Sequence, residues 1–163
     1  MRDSRIRFIR QQGFSGETFP DSFYTALMLQ PRIVGCLAAV GVLLQSAWLF
    51  LALAGLLWWS ALVPTRSPFD AIYNHVVAYR RGLPPLSTAP APRRFAAGGS
   101  GTVSLAIGVA LFAGATITAW IIEGVFTVGI ISAVFADVCV PADTYHRLRR
   151  LSPSASVFST SKG

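Results

Sequence analysis

The chain has 163 residues, of which 53% are hydrophobic and only 13% charged, a balance too apolar for an ordinary soluble domain. Its formal charge of +7 comes from 14 Lys and Arg against 7 Asp and Glu. No nucleic-acid motif accompanies these cations, which flank apolar stretches and read as positive-inside anchors facing anionic lipid headgroups.

Every Lys and Arg falls in one of three blocks, Met1 to Arg32, Pro64 to Arg94 and Arg147 to Gly163. Three basic blocks separated by two apolar stretches all stay on the cytoplasmic side only if each stretch crosses and returns. The expected fold is an all-α membrane protein with four transmembrane helices arranged as two repeated hairpins. Both termini are then cytoplasmic, in a bacterial inner membrane.

Residues 1–30 read as a cytoplasmic or interfacial segment, since the first 22 carry Arg2, Arg5, Arg7 and Arg10 but no apolar core of a signal peptide. Ile6, Phe8, Ile9 and Phe14 suit docking, on the membrane or on a partner, and the tail Ser152 to Gly163 is expected to be held as well.

Residues 31–63 form the first hairpin, introduced by Pro31, Arg32 and Ile33. As one helix, Ile33 to Val63 would run roughly 46 Å, well beyond a hydrocarbon core of roughly 30 Å. A turn near Gln45 and Ser46 leaves two short spans, the first borrowing from Phe23 to Gln30 or the hairpin thinning the membrane.

Residues 64–101 read as a Pro/Gly-rich loop. Its Leu83-Pro84-Pro85-Leu86 and Ala89-Pro90-Ala91-Pro92 runs are extended, and a short amphipathic helix spans Phe69 to Arg81. Residues 102–140 form the second hairpin, with spans over Thr102 to Ile122 and Val125 to Val140 and Glu123 solvated at the outer turn. Residues 141–163 are a basic tail.

Each hairpin ends in a proline, an aspartate, a tyrosine and a histidine: Pro64, Asp70, Tyr73 and His75, then Pro141, Asp143, Tyr145 and His146. This is the trace of an internal duplication.

The strings Ser67-Pro68-Phe69-Asp70-Ala71-Ile72-Tyr73, Gly82-Leu83-Pro84-Pro85 and Ala91-Pro92-Arg93-Arg94-Phe95-Ala96 resemble a bacterial integral-membrane family known only as a domain of unknown function. The likeness runs from about Pro31 to Tyr145. It implies two hairpins and, in many members, a C-x-x-C pair near the end of the last span. Here Cys139 matches the first thiol and Ala142 stands where the second would be, so a dithiol role would be half lost.

Cys36 and Cys139 fall at similar depth and form the one candidate redox pair, although a lone buried cysteine commonly acts as a small hydrophobe. Asp137 is the one acid read as lying inside a span, near enough to Arg147, Arg149 or Arg32 for an ion pair. His75 and His146 lie beside charged residues and are not assigned as ligands. No spacing suggests a metal site, no cofactor is expected, and no catalytic motif occurs.

Small residues mark candidate helix-packing faces: Ala106, Ala110, Gly114 and Thr118, then Gly35 with Ala39, and Gly129 with Ala133. Trp48, Trp58, Trp59 and Trp120 suit anchoring at span ends. The expected function is a non-catalytic accessory subunit of a larger membrane complex, of photosynthetic or respiratory kind. Its partners would be other transmembrane subunits and lipids. A thiol-linked redox protein using Cys139 and a small self-associating membrane protein are the alternatives.

Overall fold

The computed structural model describes residues 3–15, 19–83, 85, 86 and 88–151, which are helical with no strand among them. The expected contacts of Ser152 to Gly163, and the extended run at Pro84, lie outside these residues. The helices are α1 (Asp3–Gln11), α2 (Asp21–Leu44), α3 (Ala47–Leu62), α4 (Pro68–Ile72), α5 (Tyr79–Arg81), α6 (Ala91–Phe112), α7 (Thr116–Phe135) and α8 (Val140–Leu151).

Two hairpins, α2–α3 and α6–α7, form a ring in which α3 packs on α6, α6 on α7, α7 on α2 and α2 on α3. The first turn falls where two polar residues interrupt the apolar run. Gln45 takes a left-handed φ of 45°, and the Ser46 hydroxyl accepts from Leu49 N to cap α3. As expected, the first helix borrows upstream residues. It begins at Asp21, so Pro31 lies inside α2 rather than at its start, where it has no N–H to give the Leu27 carbonyl.

The second hairpin differs from expectation. Its turn is Ala113 to Ala115, with Gly114 at a φ of +69°, and not Glu123-Gly124. The helix begins at Ala91 because Pro92 fits a first helical turn, where its missing N–H is not needed. Gly98 to Gly101 are therefore helical, not part of the expected loop. Glu123 sits in the middle of α7, only 2% exposed.

The α3–α6 contact is the tightest in the ring, because small residues on α6 let the two backbones approach. Ala97, Gly101, Ser104 and Gly108 are all buried along one face. A Cβ on Gly101 would stand 2.8 Å from Trp58 Cδ1, and one on Gly108 2.8 Å from Leu51 Cδ2. The expected face of Ala106, Ala110, Gly114 and Thr118 does not form. Gly114 makes the turn, Thr118 belongs to α7, and of the four only Ala110 is buried.

A short helix follows each hairpin. After α3 the chain bends by 118° through a 3-10 turn (Pro64–Arg66), then runs α4, a π-helical stretch (Tyr73–Ala78) and α5. The expected amphipathic helix is thus present, with Phe69 and Tyr73 buried and Ile72, Val76 and Tyr79 outward. After α7 comes α8, whose Tyr145 ring meets Phe95 of α6 at 5.6 Å. The N-terminal segment docks on the chain's own bundle, with Phe8 and Ile9 fully buried in a cluster with Leu27 and Met28.

Three helices, Ser22–Leu44, Ala91–Phe112 and Thr116–Phe135, are long and apolar enough to cross a membrane. With 16 residues α3 spans about 24 Å, short of the usual ~30 Å core, and it makes a fourth candidate together with the bent segment that follows it. Outward residues on these helices are strongly apolar, among them Leu43, Ile117 and Phe135 at 79–83% exposure.

Candidate functional site

The second hairpin's first turn joins the end of the first hairpin. Proline-initiated α6 presents two consecutive arginines that diverge. Arg94 Nε donates to the Ala61 carbonyl at 2.8 Å, satisfying one of the free carbonyls at the end of α3. Arg93 turns inward, and its Nη2 donates to Asp70 Oδ1 at 2.6 Å and to Gln30 Oε1 at 3.1 Å. The pair is buried, with side chains 5% and 12% exposed. Among the described residues Arg93 Nη1, also buried, has no hydrogen-bond partner.

Arg93 and Gln30 line a half-open cavity of about 410 Å³ between α2, α6 and α7, with Phe8 of α1 and Cys139 of the loop before α8 also on its wall. Leu27, Val34, Val103, Phe126 and Ile130 make the rest of the wall almost wholly apolar. Its volume is within the range of small-molecule sites, and its composition, apolar with a few convergent polar groups, is the usual one.

Glycines keep it open. Gly99 of α6 and Gly129 of α7 both line the cavity, and a Cβ built on either would meet nothing within 4 Å. Gly129 and Ala133, expected to be a packing face, are wall residues instead. Gly35 does bring two helices together, since its Cβ would stand 3.0 Å from Ile130 Cγ2, while Ala39 is exposed.

Cys139 lines the same cavity. Burial pushes its thiol up from the ordinary value, against smaller lowering by the Ala142 backbone and the Gln12 side chain. Its backbone N–H donates to Gln11 Oε1 at 3.3 Å. Both cysteines are free thiols, and Cys36 is exposed on the outer side of α2.

Asp137 lies just past α7 rather than inside a span, in a left-handed conformation with φ 55°. It accepts a hydrogen bond from the Tyr24 hydroxyl of α2, with Arg5 stacked 4.9 Å over the Tyr24 ring. Arg147, one of its expected partners, pairs with Asp143 one turn away on α8 at 2.8 Å. His146 Nε2 meets the Gln11 carbonyl at 3.1 Å, tying α8 to the end of α1. No cluster suited to a metal ion occurs among the described residues.

The acid in the middle of a helix long enough to cross a membrane is Glu123. Its Oε2 accepts from Gln45 Nε2 at 3.0 Å, and Gln45 also donates to the Val42 carbonyl at 2.9 Å. One oxygen of each side chain is buried without a partner among the described residues. Sequence reading placed both at turns, yet the signal was present. The first apolar stretch holds an amide, Gln45, and the second a carboxyl, Glu123, and the two groups are complementary.

Arg93 and Asp70 were likewise read only as motif residues. They lie 23 positions apart in two strings treated separately, and their meeting is what joins those strings in space.

The chain belongs to the family described as a domain of unknown function, DUF4395, whose model matches residues 26–150. No curated protein and no solved structure matches it.

Proposed function

We propose that this protein is a non-catalytic membrane protein whose four-helix ring holds a small apolar molecule in the cavity between α2, α6 and α7. The observation that carries the reading is the pair of glycines on facing helices, Gly99 and Gly129, that leave open space in the wall of an apolar chamber. Glycine in a helix interior is disfavoured by about 1 kcal/mol relative to alanine, and neither position needs glycine for a close helix approach. A chamber with a polar corner and apolar walls fits binding better than catalysis, for which no nucleophile hydrogen-bonded to a base occurs among the described residues that line it.

In this reading the ring spans a bacterial inner membrane with both termini cytoplasmic. The outward apolar residues face lipid or the helices of a larger complex, the accessory role expected from the sequence. Mass spectrometry of the protein gently extracted from its native membrane tests both parts. A bound small molecule supports the cavity reading, and co-migration with foreign subunits supports the accessory role. A bare, solitary chain would overturn both.

The thiol alternative draws on one observation, that Cys139 lines the chamber. Its raised pKa works against it, because the thiolate is the reactive form.

A further inference from the structure

Arg93 and Gln30 form the polar corner of the chamber, with Asp70 behind Arg93 as its ion-pair partner, and their charges and free donors define what the corner accepts. The Arg93 guanidinium is closed against Asp70 at 2.6 Å, so the pair is neutral as a unit. What is left over is a donor without a charge to balance, Nη1, in a side chain 5% exposed. A buried donor left unmade is expensive, and a ligand oxygen that satisfies it recovers that penalty. An anionic head would add a second negative charge beside Asp70 with one cation between them, in a setting where an uncompensated charge is costly. A hydrocarbon would leave Nη1 unsatisfied.

We propose that the occupant is a neutral molecule with an apolar body and a carbonyl oxygen, bound with that oxygen accepting from Arg93. Quinones and lipid esters share this chemistry. The inference rests on the cavity reading and adds to it the class of ligand.

Dialysis binding on the full-length protein in detergent micelles tests it with four probes: a decyl-substituted benzoquinone, methyl palmitate, palmitate and hexadecane. The wild type is expected to bind the quinone or the methyl ester about tenfold more tightly than palmitate or hexadecane, a ratio worth one hydrogen bond. Which of the two binds better names the source, a free quinone or a lipid ester.

In the double variant Asp70→Leu with Arg93→Met, which removes the pair without stranding either charge, that preference disappears while hydrocarbon binding stays. Palmitate binding best, or a preference that survives in the double variant, would overturn the carbonyl inference. Equal binding of all four probes, blocked together by Gly129→Leu, would also overturn it while leaving the cavity reading standing. If no probe binds the wild type, the cavity reading falls and takes the inference with it.

Discussion

Asp70 and Arg93 show how a single contact organises both the fold and its site. The bridge draws the bent segment after α3 onto the first turn of α6, and Arg94 fastens the same turn to the end of α3. Removing one partner leaves a buried charge, so Asp70→Leu or Arg93→Met alone is expected to destabilise the protein by about 3–5 kcal/mol. Replacing both should recover most of that loss, because a buried ion pair is often matched by well-packed apolar residues. Thermal unfolding of the three variants in one detergent checks this, and a double variant no more stable than the singles would contradict it.

Cys139 gives a second test at this scale. Its thiol is raised by burial, and since alkylation needs the thiolate, modification should be slow at neutral pH. The rate should climb as pH passes above the ordinary thiol range of about 8.5. Time courses with a small maleimide on a Cys36→Ser background measure the profile. Rapid labelling of Cys139 at pH 7 would show an activated thiol and favour the redox alternative.

At the scale of elements, α6 carries glycines of two kinds, and the contrast between them is informative. Gly101 lies where α3 and α6 touch, and a methyl there collides with Trp58 and Leu57. Gly101→Ala should therefore destabilise by about 1–3 kcal/mol through overpacking. Gly99 and Gly129 face open space, so Gly99→Ala and Gly129→Ala should be neutral or stabilising by up to about 1 kcal/mol through helix propensity. Unfolding midpoints of the three variants decide it, and equal losses at all three would mean that the chamber does not exist.

The two hairpins were unequally legible for a physical reason. Gln45 and Ser46 are polar and sit where α2 and α3 meet, so the first turn could be read from the sequence. The second turn is built from Ala113, Gly114 and Ala115, which carry no polar signal, while the nearby Glu123 mimics one. A carboxyl marks a turn only if water satisfies it, and here the Gln45 amide, at the end of the neighbouring helix α2, takes up one of its oxygens. The boundary error carried over to the packing faces, because a helix ending at Phe112 cannot continue a small-residue stripe to Thr118.

At the scale of the molecule, charge parity implied an even number of crossings, and the ring of four helices is compatible with that. The hairpin-plus-short-helix plan occurs twice, as the repeated Pro, Asp, Tyr and His residues suggested. The two halves nonetheless differ. Asp70 bridges to another helix, whereas Asp143 pairs within α8 at the surface. The site was the least legible part, since a chamber depends on which faces of three helices converge, and periodicity in one helix says nothing about its neighbours.

Topology reporters inserted at Gln45-Ser46 and at Ala113 to Ala115 should place those turns on one side of the membrane. Reporters between Thr88 and Pro90 and after Leu151 should fall on the opposite, cytoplasmic side. A loop reporter on the same side as either turn would rule out four crossings.

The central claim is that the ring encloses a working cavity, and Gly129→Leu tests it most directly by filling the space from a position with no steric neighbour. Wild type and variant, purified identically from native membranes and compared by native mass spectrometry, should unfold at similar temperatures. The account predicts a bound small molecule on the wild type and none on the variant. The same mass on both, or on neither, would contradict it.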